Sequence, residues 1–218
     1  MSLWHLLQTT DSLFPTGAFS HSGGLEGLAG MGLLGTADQA ERAVVGILER
    51  SFAGVDLPAC ALAHGASGDA ARLIEIDLEL DALKTPLELR EASQSLGRRR
   101  LRNVPALEDY RRAVDRDETP GHQAVVTGMH LARSGVPRAE ALLAFTYGTA
   151  AGLVTAAMKL VPLGQSRAQG FLAALGERAP EWIRRAGEMG LEDLGCFCPG
   201  LDIASMRHES AAPRLFIS

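Results

Sequence analysis

The residues able to do chemistry in this chain are few and loosely grouped. Cys196 and Cys198 are separated only by Phe197, whereas zinc sites use pairs such as CxxC or HExxH. The pair therefore reads either as a soft-metal candidate or, more simply, as two free thiols. His122 and His130 stand eight residues apart, which on a helix is two turns and about 12 Å along the axis. That is too far to share one ion unaided, so polar or packing roles are expected. His21 lies between Ser20 and Ser22, with Asp11 and Ser12 upstream, but no GxSxG elbow accompanies it and a hydrolase triad is not expected. A GxxxxGK[ST] phosphate loop needs a lysine after glycine. The two lysines, Lys84 and Lys159, follow Leu83 and Met158 instead, which excludes such a loop.

The charged clusters are equally spare. Asp77 and Glu79, with Asp81 nearby, are expected on the solvated face of an amphipathic helix, and no DDxxD motif is present. Arg98, Arg99, Arg100 and Arg102 fall at a helix C-terminus, where cations complement the macrodipole. A docking surface for an acidic partner is the competing account.

The elements that position these residues are helical. In 218 residues with 46% hydrophobic content one core can form, and aromatics at 5% leave too few sheet-forming side chains. Thr36, Ala37, Asp38 and Gln39 form a capping box, and Ala40, Val44, Ile47, Leu48 and Phe52 follow at helical spacing. Helices are expected over 56–66 and 69–83, the latter with Leu73, Ile76, Leu80 and Leu83 on one side. Thr85, Pro86 and Glu88 predict a start at 86, with Glu88 reaching back, and an end near 101. A short polar helix in PALEDYRRAVDRD is followed by helices over 122–132 and 137–161. Then come 165–175 and a last helix begun by Pro180 and running to 189, with an irregular remainder from Leu191. About nine or ten helices in one domain over 1–218 are predicted.

The 137–161 stretch is apolar enough to span a membrane, with Arg138, Glu140 and Lys159 at its ends. Among amphipathic neighbours it reads as the central core helix, so no membrane is expected. A net charge of −5 gives no general attraction for nucleic acid. Three cysteines cannot all pair, and no signal peptide is legible in MSLWHLLQTTD, so a cytoplasmic location is expected.

One feature is more specific than all of these. Residues 11–26 read DSLFPTGAFSHSGGLE, followed in order by ELREAS with LGRR, GHQAVVTG, VPLGQ, PGLDIASMRHE and RLFIS. This series resembles the UreF family of urease accessory proteins along nearly the whole chain. The resemblance implies an all-α homodimer that joins UreD (also called UreH) and the GTPase UreG to deliver Ni2+ to apo-urease. It implies a non-enzymatic scaffold that binds no cofactor directly, with Ni2+ and GTP handled by the partner complex. The tail, 199–218, is then a partner-binding segment. A helical metal-binding enzyme, or a direct nickel carrier using His21, His122, His208, Cys196 and Cys198, is the alternative.

Interface candidates follow from the matching blocks. Pro15, Thr16, Gly17, Phe19 and His21 belong to the first, whose glycines and proline favour a fixed turn. Arg90, Glu91 and Arg98 belong to the second; Pro162, Gly164 and Gln165 form the break after the long helix, which also carries Tyr147. Asp202, Met206, His208, Arg214 and Phe216 complete the set in the tail.

Overall fold

A computed structural model describes residues 3–211 and 214–218; Met1 and Ser2, and Ala212 and Pro213 of the expected tail, lie outside the described residues. Among the described residues there are eleven α-helices and no strand. In chain order they are α1 (Leu3–Thr10), α2 (Leu25–Gly30), α3 (Ala37–Arg50), α4 (Asp56–Gly65), α5 (Ala70–Leu83) and α6 (Leu87–Leu101). They continue with α7 (Glu108–Asp115), α8 (Gln123–Arg133), α9 (Arg138–Leu160), α10 (Gln165–Glu188) and α11 (Pro199–His208).

The deepest packing is between α4 and α8. Every residue from Ala124 to Leu131 is buried, so α8 has no solvent face over those turns. Gly128 explains the close approach, because a Cβ there would collide with the backbone of Cys60 and His64. The expected apolar helix is α9, packed on α3, α4, α8 and α10. By length and composition it could cross a membrane, with a mean hydropathy of 1.5 in its most apolar window, and half of that window is buried inside the protein.

The predicted starts and stops hold where local chemistry dominates. The Thr36–Gln39 capping box forms in both directions. Three expectations change. α10 runs unbroken through Pro180, with no new helix begun there, although the ring removes one backbone donor. Leu175, Ala179, Trp182 and Ala186 are buried along it, while Arg167 pairs with Asp38 and Glu41 and Arg178 with Glu49 on α3. That packing outweighs a defect of about 3 kcal/mol. The stretch expected to be irregular contains α11, opened by Pro199 in its first turn. Asp77, expected on a solvated face, is fully buried; Glu79 is exposed as expected.

Candidate functional site

The chain's two ends meet on one side of the bundle. Gly24 and Gly27 let α2 lie against α11, with Leu201 and Ala204 filling the space their Cβ atoms would need. His208, at the end of α11, is buried between two carboxylates: its Nε2 lies 3.0 Å from Glu26 and its Nδ1 2.9 Å from Glu88. Both nitrogens can donate only when the ring carries two protons. Arg214 donates to Glu88 at 3.0 Å, so Glu88 faces the tail. The expected reach-back of Glu88 over the α6 start is absent, and α6 begins after Pro86 with no side-chain cap.

Glu26 also accepts the backbone N–H groups of Leu215 (2.6 Å) and Phe216 (2.8 Å). Burial raises the Glu26 carboxyl, but these two donors and His208 outweigh it and hold the group below its ordinary value. Beyond Phe216 the tail pairs with the first block: Ile217 N–H donates to Ser20 O at 2.9 Å and Ser22 N–H to Ser218 O at 2.5 Å. His21 Nδ1 lies 2.7 Å from Ser218 Oγ, and its ring is held below its ordinary value by burial, then by Arg99. Phe216 is buried, with the Lys159 ammonium 5.1 Å from its ring centre.

A second network braces GHQAVVTG. The Asp77 carboxylate accepts from the Tyr110 hydroxyl (3.0 Å), the Thr119 hydroxyl (2.8 Å), Gly121 N–H (2.6 Å) and His122 N–H (2.8 Å). Four donors are what a buried carboxylate needs. His122 is buried with Nδ1 3.0 Å from Ser93 Oγ and Nε2 3.1 Å from Asp81. Burial, the first cause, lowers its proton affinity. Both His122 and Asp77 are thereby committed to structure.

The arginine cluster has local duties too. Arg98 donates to Pro120 O at 2.8 Å and pairs with Asp117 at 2.7 Å. Arg99 reaches Thr16 O at 3.4 Å, tying α6 to the PTG turn, where Gly17 adopts φ 78°. Arg98, Arg99, Arg102, Glu91, Gln94 and Ser95 line one shallow surface cleft.

Of the sequence-predicted residues, Phe19, His21, His208, Arg214 and Phe216 come together at the paired ends, with Asp202 and Met206 on the same α11. Burial raises the Asp202 carboxyl. Thr16 is buried and Pro15 exposed in the adjoining turn. Arg90 reaches Lys84 O at 3.5 Å. Pro162 and Gly164 are exposed in the turn between α9 and α10, Gln165 is exposed at the start of α10 and Tyr147 is exposed on α9; among the described residues none of these bonds to the paired ends. Glu26, Glu88 and Asp77 were missed as site residues. Their partners lie 182, 120 and 33–45 residues away in sequence, and no local spacing reports such pairs. Among the described residues no group of three or more His, Cys, Asp or Glu side chains is placed to hold a metal ion.

Fold and site together define an all-α protein whose most specific sequence block is the seat of its own C-terminal helix and tail. The UreF family model matches residues 34–176. Proteins named urease accessory protein UreF are similar along almost the full length. That of Arthrobacter sp. (strain FB24) is 33% identical, covering 98% of this chain and 96% of its own. Those of Kocuria rhizophila and Actinobacillus pleuropneumoniae serotype 3 are each 34% identical over 98% of this chain, covering 95% and 97% of their own. The chain belongs to the UreF family.

Proposed function

We propose that this chain is a non-enzymatic cytoplasmic scaffold that bridges UreD (UreH) and the GTPase UreG for GTP-dependent delivery of Ni2+ to apo-urease. The observation that carries this reading is the surface built by the paired ends. There Phe19, Leu215 and Ile217 are 65%, 63% and 60% exposed, and α11 adds Ile203 and Met206 at 48% and 49%. Large apolar side chains exposed together are a protein-binding feature. UreD is the partner assigned to this surface. The outer face of α9, with Leu143 and Tyr147 half exposed, is assigned to a second copy of the chain. Nucleotide and metal are cargo and cofactor of the partners, and the scaffold acts by favouring the partner conformation that receives them.

The test is co-expression with UreD, UreG and apo-urease, scoring complex formation and nickel-dependent urease activity. Removal of the chain should abolish activation, and activation that proceeds equally well without it would sink the reading. Truncation after Glu209 should weaken UreD capture while the helical domain stays folded; unchanged co-purification rejects the assignment of the tail.

A further inference from the structure

The basic end of α6 carries more charge than its helix requires. From Arg98 to Arg112 six arginines stand against Glu108 and Asp109, in a chain whose net charge is −5. A helix C-terminus presents about half a negative charge, which one cation answers. Here Arg98, Arg99 and Arg100 fall in the last turn of α6, and Arg102 closes it. Arg100 turns inward and is buried, its guanidinium 5.0 Å from the ring centre of Phe14. Arg99 and Arg102 are exposed and Arg98 is partly so. Like charges three and four residues apart on one helix repel each other, so this stripe costs the isolated helix stability.

Two clefts join these side chains. The shallow one that also holds Glu91, Gln94 and Ser95 has a volume of about 390 Å³. A smaller one of about 200 Å³ lies between α6 and α7, lined by Arg98, Leu101, Arg102, Arg111, Val114 and Asp115. Arg98 and Arg102 line both, so the clefts form one band. Arg111 enters it from α7, where the α6 macrodipole gives it no reason to be. The nearby carboxylates neutralise only part of the charge. Arg98 pairs with Asp117 at 2.7 Å, Arg112 with Asp109 at 2.6 Å and Arg111 with Glu108 at 3.7 Å. The Arg99 guanidinium meets a backbone oxygen, Thr16 O, and among the described residues the Arg102 side chain has neither hydrogen bond nor ion pair. Glu91 lines only the first cleft and Asp115 only the second, so the shared arginines stand between two acidic ends.

We infer that this band is a docking surface for an acidic segment of a partner protein, with carboxylates clustered at the segment's centre and neutral or basic residues on either side. That pattern is the complement of arginines framed by Glu91 and Asp115. Guanidinium forks bind carboxylates through two parallel hydrogen bonds. From Glu91 to Arg102 the face of α6 runs about 16 Å, the length of about five residues of extended chain, which is far more than one small anion covers. A continuous polyanion such as a nucleic acid would be repelled by Glu91, Asp115 and the net charge of −5. The band is neither of the surfaces assigned above, and the inference does not depend on the scaffold reading.

The test uses the full chain and a fluorescein-labelled peptide of four glutamates with one lysine at each end, followed by anisotropy at low ionic strength. Binding should be saturable and should weaken as salt is added. Arg102→Glu should raise Kd about tenfold and Arg102→Gln about threefold, both with unchanged Tm because the side chain bonds to nothing in the fold. A peptide of the same composition with its lysines at the centre should bind about fivefold more weakly. Arg50→Gln, which removes an exposed arginine of α3 outside the band, should bind as wild type does. Absence of saturable binding, equal Kd in wild type and Arg102→Glu, equal loss in Arg50→Gln, or equal affinity for the two peptides would overturn the inference. Tighter binding of oligothymidylate, or displacement of the peptide by an equal concentration of inorganic phosphate at matched ionic strength, would overturn it too, by making the ligand a nucleic acid or a single ion.

Discussion

At the residue scale the chain holds itself together through carboxylates that sequence spacing does not single out. Asp77 is the clearest, because it is fully buried and receives four hydrogen bonds from two side chains and two backbone amides. Asn in its place has one acceptor oxygen, and in either orientation its NH2 group meets a backbone N–H donor, because Gly121 N–H bonds Oδ2 and His122 N–H bonds Oδ1. Asp77→Asn should therefore lower stability by about 3 kcal/mol, read as a shift in urea midpoint at unchanged slope. A change under about 1 kcal/mol would mean that the Gly121 and His122 amides find another acceptor. Glu26 is different, for it joins the tail and not the core. Glu26→Gln should leave the urea transition of the bundle nearly unmoved while raising amide exchange at Leu215 and Phe216, whose N–H groups it accepts. Exchange as slow as in wild type would show that Phe216 burial alone holds the tail.

At the scale of elements, what the sequence made legible depended on how local the cause was. The Thr36 cap, the apolar stripe of α3 and the breaks around Gly135 and Pro162 follow from neighbours within a turn or two, and they appear as expected. Pro180 misled because a proline inside a helix usually ends it, while here buried side chains on both sides of it outweigh the lost bond. α11 was illegible for a related reason: its packing rests on Ala204 and Leu201 meeting glycines of α2, and small residues leave no stripe to read. The paired ends were visible only as family-like strings, never as contacts, since each bond spans most of the chain. Both misreadings are testable. Pro180 is exposed, so Pro180→Ala should restore a donor without disturbing the core and raise stability by about 1–3 kcal/mol. An unchanged or lowered urea midpoint would mean that the helix is bent around the ring. Gly27→Val should force α11 from α2, because a Cβ there meets the backbone of Ala204. Faster exchange confined to 199–208 is the expected readout, and uniform destabilisation would count against a discrete α2–α11 contact.

At the scale of the whole molecule the buried histidines make folding sensitive to mild acid. His130 is pulled from 6.5 down to about 3, chiefly by burial and then by Arg100 and His5. His122 and His21 are lowered too, again with burial as the largest cause. Below pH 6.5 the unfolded chain takes up protons on these rings that the folded chain refuses, so the unfolded state binds more protons and stability falls as the pH falls. For His130 the loss continues until its folded value of about 3 is reached. Glu26 acts in a lower window: its folded value lies below 4.5, so its contribution is complete above 4.5 and is lost as the pH drops through the depressed value. Between pH 7 and 5 the histidines therefore act without Glu26. The urea midpoint should decline steadily over that interval, and His130→Phe, which replaces the titrating ring with an apolar one, should flatten the decline without abolishing it. A midpoint independent of pH from 7 to 5 would show that these rings take up protons in the folded protein as readily as in the unfolded chain, and the lowering of His130 would fall with it.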